Sequence, residues 1–151
     1  MIRMTGIIYY MIRRFKMAII KWDDGFSVNV AKIDQQHQKL ILMNNELNEA
    51  MGQGKGKDVL GRIVNGLISY TATHFKTEED YFKQLGYPEA GSHIKEHIAF
   101  VEKVTEFKEG FENGKLSLSI EVMTFLSNWL RNHIKVTDKK YSRFFNQKGL
   151  K

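Results

Sequence analysis

The sequence predicts an all-α protein, an up-down-up-down antiparallel four-helix bundle preceded by an extended N-terminal arm. Apolar residues recur at alternating steps of three and four along four segments, which is the pattern of helices packed side by side. Pro88 is the only proline, so long uninterrupted helices are permitted. Short stretches containing glycine separate the four segments, and short connections favour antiparallel neighbours.

The arm is predicted just before the first helix. Gly25, followed by the alternating apolar residues Phe26, Val28 and Val30, indicates an extended segment lying along the fold. Asp34 is the expected N-cap of the first helix, because an aspartate oxygen can accept hydrogen bonds from a helix's first backbone N–H groups. This helix should run from about Asp34 to Met51, with its inner stripe formed by His37, Leu40, Ile41, Asn44, Leu47 and Met51.

The other three helices are placed by the same period. The second should run from about Asp58 to Leu85, with a seam of Leu60, Val64, Leu67, Thr71, His74, Glu78, Tyr81 and Leu85. The third should begin near Glu89 and bury His93, His97, Phe100, Val104, Phe107 and Phe111. The fourth should begin near Leu116 and bury Val122 or Met123, Leu126, Trp129 or Leu130, and His133.

All five histidines of the chain fall in one pattern with two acids. Residues four apart share a helix face, as do His74 with Glu78 and His93 with His97. In an antiparallel bundle the starts of the first and third helices lie beside the ends of the second and fourth. Seven candidate metal ligands therefore reach one level of the core: His37, His74, Glu78, His93, His97, His133 and Asp138. Five imidazoles and two carboxylates exceed the needs of one ion, so the pattern predicts two ions that share the carboxylates.

The spacing of His133 and Asp138 does not fit a regular helix. Five residues correspond to about 500° of rotation, which would turn Asp138 about 140° away from His133. Either a π-type distortion or a break in the fourth helix is therefore predicted. Asp138 could instead form a surface ion pair with Lys139. Tyr141 could donate a hydrogen bond to a ligand carboxylate or only pack.

Composition and charge exclude several classes of protein. The chain has no cysteine, which excludes disulfides, iron–sulfur clusters and thiolate zinc sites and fits a cytoplasmic location. No apolar run approaches the ~20 residues of a membrane span, so stable membrane insertion is not expected. The formal net charge is +6, but four of these charges lie in residues 1–16, which carry no acid. Elsewhere Lys and Glu are interspersed, so nucleic-acid binding is not expected.

The chain is expected to contain one domain, residues 17–151, preceded by an N-terminal extension, residues 1–16. The extension has a short apolar run followed by Arg13 and Arg14. It is either an upstream start, with Met17 as the true initiator, or a short amphipathic appendage. A signal peptide would need a longer apolar region and a small-residue cleavage site.

Five motifs resemble those of the hemerythrin family, particularly the single-domain bacteriohemerythrins: WDDGFSV, IDQQH, HFKTEE, YPEAGSHIKEH and HIKVTDKKY. The match extends from Trp22 to about Phe145. The resemblance implies a hemerythrin-like bundle with a non-haem di-iron centre, two Fe ions (Fe2+/Fe3+) joined by an oxo or hydroxo bridge. It also implies reversible O2 binding, for carriage, storage or delivery of O2 to an oxygen-consuming enzyme.

The resemblance assigns a role to each candidate ligand. His93, His97 and His133 would bind a six-coordinate iron. His37 and His74 would bind the other iron, whose open position receives O2, and Glu78 and Asp138 would bridge the two. Apolar residues within four positions of a ligand pack in the core in any case, and the resemblance implies that they also line the O2 pocket: Leu40, Phe75, Trp129, Leu130 and Ile134.

The ligand types favour O2 binding over O2 activation. Di-iron oxidases in ferritin-like bundles carry more carboxylate ligands, and greater anionic donation supports the higher iron oxidation states that cleave O–O bonds. The two carboxylates here predict a binding protein and no enzymatic activity. The alternatives are O2 sensing with a partner, or a di-iron peroxidase or nitric-oxide-handling enzyme. A monomer is expected.

Overall fold

The computed structural model describes residues 19–151, which form four helices joined by short loops. They are α1 (Ala31–Gly52), α2 (56–85), α3 (Ala90–Glu112) and α4 (118–147). Residues 19–151 contain no strand. The predicted all-α four-helix bundle is therefore confirmed, whereas the proposed extension, residues 1–16, lies outside the described residues.

Helices α2 and α4 each contain a π-helical segment. In α2 the segment Thr71–Phe75 interrupts regular α-helix, and in α4 it is the longer Leu130–Asp138. Such segments hydrogen-bond from i to i+5 and frequently occur at functional sites. The distortion predicted near Asp138 is thus confirmed as π-helix, whereas the sequence did not predict the one in α2.

The π segment of α2 changes which residues face the core. Before it, Leu67 is buried as predicted, but Tyr70 is buried where Thr71 was expected. After it, Phe82 is buried, whereas the predicted seam residues Tyr81 and Leu85 are only half-buried. The predictions for Tyr81 and Leu85 were wrong because they assumed an uninterrupted period along the helix, whereas that for Thr71 was wrong because the buried position after Leu67 is three residues on, not four.

Two apolar clusters pack inside the bundle. The large cluster contains residues of all four helices, among them Leu40, Tyr70, Phe100 and Leu130. The small cluster joins the arm to the ends of α2 and α4 and contains Val28, Val30, Ile33, Phe82, Tyr87, Tyr141 and Phe145. Two inner-face predictions failed near helix ends, since Phe111 is 44% exposed and Met51 is half-buried.

The arm lies along the bundle without regular secondary structure, as predicted. Its side chains Phe26, Val28 and Val30 are buried. Helix α4 holds its backbone, because Ser142 Oγ donates a hydrogen bond to the Val28 carbonyl at 2.7 Å. The arm is therefore part of the core and closes the small cluster.

Asp34 is not the N-cap of α1. The helix begins at Ala31, and the Asp34 N–H already donates to the Val30 carbonyl at 2.9 Å. The Asp34 carboxylate instead accepts the Val28 N–H at 2.8 Å and the Ser27 hydroxyl at 2.6 Å. It therefore fixes the bend of the arm. Among the residues described, no helix is both long and apolar enough to cross a membrane.

Candidate metal centre

The structure brings all seven predicted ligands together inside the bundle. Each of these polar side chains is buried, with at most 2% of its residue surface exposed: His37, His74, Glu78, His93, His97, His133 and Asp138. All four helices contribute. They contact both apolar clusters, since the imidazole of His97 stacks on Phe75 and that of His93 lies edge-on to Phe82.

Glu78 presents one carboxylate oxygen to each half of this group. Its Oε1 lies 3.2 Å from Nε2 of His74 and 3.9 Å from Nε2 of His37. Its Oε2 lies 2.9 Å from Nε2 of His97 and 3.3 Å from Nε2 of His93. The carboxylate therefore has the placement of a bridge between two ions.

The two carboxylate oxygens of Asp138 likewise face different halves of the group. Its Oδ2 lies 3.0 Å from Nε2 of His37, whereas Oδ1 lies 3.0 Å from Nε2 of His133 and 3.1 Å from Nε2 of His93. The π segment makes this possible, because it brings residues five apart onto one face. The alternative surface pair with Lys139 is wrong: Asp138 is fully buried, and the Lys139 ammonium donates to the Asp24 carbonyl at 2.8 Å.

The donor atoms thus form two unequal groups. The two-histidine group has four donors, from His37 and His74 with Glu78 Oε1 and Asp138 Oδ2. The three-histidine group has five: His93, His97, His133, Glu78 Oε2 and Asp138 Oδ1. In each of two sets, His37–His74–Glu78–Asp138 and Glu78–His93–His97–His133, ligand atoms lie within 4.8 Å of one another. These separations suit ligands that share an ion at metal–ligand distances of ~2.0–2.2 Å.

Most atoms that face the centre lie close to one another, as described above, but make no hydrogen bond of acceptable geometry among residues 19–151. These buried atoms are Nε2 of His37, His74, His97 and His133, and both carboxylate oxygens of Asp138. An unpaired buried polar atom costs roughly 1–3 kcal/mol. Six such atoms converging on one place indicate a missing positive partner.

The outer nitrogens of the same imidazoles do have partners. Nδ1 of His74 lies 2.7 Å from Oε1 of Gln36, and Nδ1 of His97 lies 2.9 Å from Oε1 of Glu79. Nδ1 of His133 lies 2.5 Å from Oε2 of Glu96. Each oxygen accepts the Nδ1 proton, which leaves the lone pair of Nε2 directed into the centre.

His37 follows the same rule, with Nδ1 3.3 Å from the Phe26 carbonyl of the arm. The centre is therefore lined by acceptor atoms, and cations satisfy such a group better than any neutral occupant. The donor set fits a pair of metal ions, and imidazole with carboxylate suits iron, zinc or manganese.

Sequence reasoning missed the outer partners Gln36, Glu79 and Glu96. Each is adjacent in sequence to a candidate ligand, and this was the only available signal. Tyr141 was left open, and its hydroxyl donates to Oε1 of Glu78 at 2.5 Å. Its ring also stacks on Phe145, with ring centroids 4.5 Å apart, so it both packs and holds the Glu78 carboxylate.

The buried carboxylates bias the protonation of the metal-free centre. Burial opposes the charged imidazolium, but the adjacent carboxylates of Asp138 and Glu78 raise the pKa of His37 to about 10. The same opposing causes raise the pKa of His93 to about 9. Burial lowers the pKa of His74. Without metal, protons on His37 and His93 would balance the two carboxylates.

The five candidate pocket residues occupy different places around the centre. Phe75 stacks on His97 and Trp129 stacks on His133, each with ring centroids 3.8 Å apart, so both lie beside the three-histidine group. The other three, Leu40, Leu130 and Ile134, are fully buried in the large cluster.

The fold and the site together define a class, a four-helix bundle with a buried, histidine-rich cation site. The model of the family "Hemerythrin HHE cation binding domain" matches residues 28–145. The chain therefore belongs to the hemerythrin family.

Curated relatives agree with this assignment. The bacteriohemerythrin of Stenotrophomonas maltophilia (strain R551-3) is 34% identical over 126 residues, which cover 83% of this chain and 81% of the relative. That of Methylococcus capsulatus (strain Bath) is 31% identical over 126 residues, covering 83% of this chain and 95% of the relative.

Solved structures show the same likeness. The crystal structure of wild-type hemerythrin is 30% identical and has a TM-score of 0.74, covering 83% of this chain and 97% of that one. A leucine-to-alanine variant of hemerythrin gives a TM-score of 0.75, with 30% identity and 84% and 97% coverage.

Proposed function

We propose that the protein binds O2 reversibly at a non-haem di-iron centre, for carriage, storage or delivery of O2 to an oxygen-consuming enzyme. When bound, the two Fe ions and their oxo or hydroxo bridge would supply the reversible redox chemistry. His93, His97 and His133 would hold one iron, and His37 and His74 the other. Glu78 and Asp138 would bridge them.

The division of both carboxylates between two unequal histidine groups carries this proposal. Each of Glu78 and Asp138 directs one oxygen to the two-histidine group and the other to the three-histidine group. The protein thus supplies five donors on one side and four on the other. The side with fewer protein donors leaves room for an exogenous ligand, which a purely structural metal site would not need.

The buried apolar residues around the centre favour O2 binding over a subsequent reaction of the bound O2. Leu40, Leu130 and Ile134 are fully buried, and we assign them to the lining of the O2 pocket. Phe75 and Trp129 close the pocket behind the three-histidine group by stacking on His97 and His133. Such an apolar lining limits the access of water and protons to the centre.

The proposal also includes the protein's lack of enzymatic activity, its oligomeric state, its location and its partners. The donor set has two carboxylates among seven ligands, which favours a binding protein over an enzyme. A monomer in the cytoplasm is proposed, since the chain has no cysteine that would need an oxidising compartment. The partner is O2 itself, and the recipient is an oxygen-consuming enzyme.

Metal analysis with absorption spectra tests the function. Protein reconstituted with Fe(II) under argon should contain about two irons per chain, one for each donor group. Exposure to air should produce charge-transfer bands in the near ultraviolet and visible, and argon should remove them again. A single bound zinc, with no uptake of iron under argon, would contradict the proposal. Multiple turnovers with peroxide or nitric oxide, without reversible bands, would indicate an enzyme instead.

A further inference from the structure

Tyr70 lies directly beside the two-histidine group. Its ring stacks on the imidazole of His74, with ring centroids 4.7 Å apart and an interplanar angle of 23°. The two residues are four apart on α2, so their side chains project from the same face. The phenol therefore runs alongside the imidazole into the bundle.

The Tyr70 hydroxyl is buried and has no hydrogen-bond partner among residues 19–151. Other tyrosines buried in the bundle are satisfied, because Tyr141 donates to Glu78 and Tyr87 donates to Oε2 of Glu89 at 3.2 Å. Buried hydroxyls almost always find an acceptor. An unpaired donor next to a metal ligand indicates that its acceptor arrives with the ligand of the centre.

The stacking on His74 associates Tyr70 with the two-histidine group. The Tyr70 ring stacks on an imidazole of the two-histidine group, so its hydroxyl lies on that half of the centre. Tyr70 belongs to the same buried cluster as Leu40 and Leu130, the proposed pocket lining. Burial, and then the charges of Glu78 and Asp138, raise the pKa of Tyr70, as expected for a phenol close to both bridging carboxylates.

A second unpaired donor lies on the other side of the centre. Nε1 of Trp129 also has no partner among the described residues, but its ring stacks on His133 of the three-histidine group. That group has one more protein donor than its neighbour. Tyr70 is therefore the better placed of the two for the open coordination position.

We propose that the Tyr70 hydroxyl donates a hydrogen bond to the exogenous ligand at the two-histidine ion, an inference that rests on the proposed function. The ligand class is a small molecule with a terminal acceptor atom, either O2 or an anion such as azide. The hydroxyl stays neutral and is not a metal ligand. It slows ligand departure and distinguishes acceptor ligands from those without an acceptor atom.

The test is Tyr70→Phe, which keeps the ring and its stacking and removes only the hydroxyl. A hydrogen bond contributes about 0.5–1.5 kcal/mol, so O2 should dissociate roughly 2- to 10-fold faster from the variant. Stopped-flow mixing of oxygenated protein with dithionite measures this rate. Azide should likewise dissociate faster from the oxidised variant than from the oxidised wild type.

A second readout does not depend on bound metal. Because the hydroxyl has no partner within the described part of the chain, its removal should leave the Tm of metal-free protein unchanged or higher. Tyr87→Phe is the matched control, since Tyr87 lies in the small cluster and donates to a helix-end glutamate. Its O2 dissociation rate should equal that of the wild type.

Three outcomes would overturn the inference. Equal O2 and azide dissociation rates for Tyr70→Phe and wild type would remove the hydroxyl from the ligand's surroundings. Loss of a visible phenolate-to-iron band in Tyr70→Phe would show that Tyr70 is a metal ligand rather than a donor. A wild type without reversible oxygenation would refute the proposed function as well, whereas the first two outcomes leave it standing.

Discussion

The carboxylate of Glu96 on α3 accepts a hydrogen bond from Nδ1 of His133 on α4, at 2.5 Å. Glu79 does the same for His97 at 2.9 Å. The three-histidine group is thus supported by two carboxylates. The two-histidine group is supported by the neutral side-chain amide of Gln36 and the carbonyl of Phe26. This asymmetry should make His97 and His133 more basic donors than His37 and His74.

Glu96→Gln should therefore weaken metal binding. The amide oxygen can still accept the His133 proton, but the negative charge that makes the imidazole a stronger donor is lost. Outer-shell changes of this kind typically reduce metal affinity about 10- to 100-fold. Competition with a chelator measures the loss. Glu106→Gln is the control, because Glu106 is exposed and, among residues 19–151, pairs only with Lys103. Equal metal retention by both variants would show that Glu96 has no effect on the centre.

His74→Ala should remove a ligand of the two-histidine ion and reduce the increase in Tm that bound metal produces. The seven candidate ligands come from all four helices, so bound metal should raise the Tm of the wild type above that of metal-free protein. The variant should show a smaller difference and lose about half of the iron. Calorimetry with and without Fe(II) under argon measures both melting temperatures. A wild type that melts at one temperature with and without metal would show that the site is not coupled to the fold.

Leu130→Ala should affect both stability and the lifetime of the oxygenated protein. Leu130 is fully buried, so the cavity should cost roughly 2–5 kcal/mol in free energy of unfolding. If Leu130 lines the O2 pocket, water and protons should also reach the centre, and the oxygenated form should decay faster to the oxidised form. Denaturant titration and the decay of the visible band measure the two effects.

Leu126→Ala separates packing from pocket lining. Leu126 is equally buried but lies one helical turn further from His133. It should lose similar stability while its oxygenated form decays at the wild-type rate. If both alanine variants decay like the wild type, Leu130 serves only as core packing.

Metal uptake should release protons and depend on pH. The neighbouring carboxylates raise the pKa of His37 to about 10 and that of His93 to about 9, so both imidazoles should be protonated near pH 7.5 when no metal is bound. Metal binds only neutral imidazole, so about two protons should leave on binding. Calorimetry in buffers of different ionisation enthalpy counts them. Binding without proton release would show that these imidazoles are neutral before metal arrives.

The raised pKa values of His37 and His93 also determine whether the stability of metal-free protein rises or falls with pH. A histidine whose pKa is raised in the folded state stabilises the fold fully below its unfolded value of about 6.5. That contribution is lost as pH rises through the folded values of about 9 and 10. The Tm of metal-free protein should fall across this range, whereas that of the iron-loaded protein should fall less. Parallel Tm curves would contradict the assignment of protons to His37 and His93.

The sequence predicted the bundle and the place where the candidate ligands meet, because helix period and antiparallel topology together fix which helix ends are neighbours. The odd spacing of His133 and Asp138 was informative for the same reason, since only a distortion could reconcile it with a shared site. The π segment around His74 left no comparable mark. It was therefore missed, and Tyr70 was not recognised as a core residue.

Two kinds of feature were beyond sequence reasoning. The outer partners Glu79 and Glu96 resemble ordinary solvated charges until the neighbouring helix is placed against them. Asp34 has the residue type of an N-cap, but the arm bends back and takes its carboxylate for Ser27 and Val28. In both cases a long-range contact decides the role of a residue whose local pattern suggests another one.

The most direct test of the two-ion centre is a crystal structure of protein reconstituted with Fe(II), with anomalous difference maps recorded on both sides of the iron edge. The account predicts two iron peaks in each chain. One should lie among His93, His97 and His133 and the other between His37 and His74, with Glu78 and Asp138 touching both. A single peak, or a second peak away from His37 and His74, would contradict it.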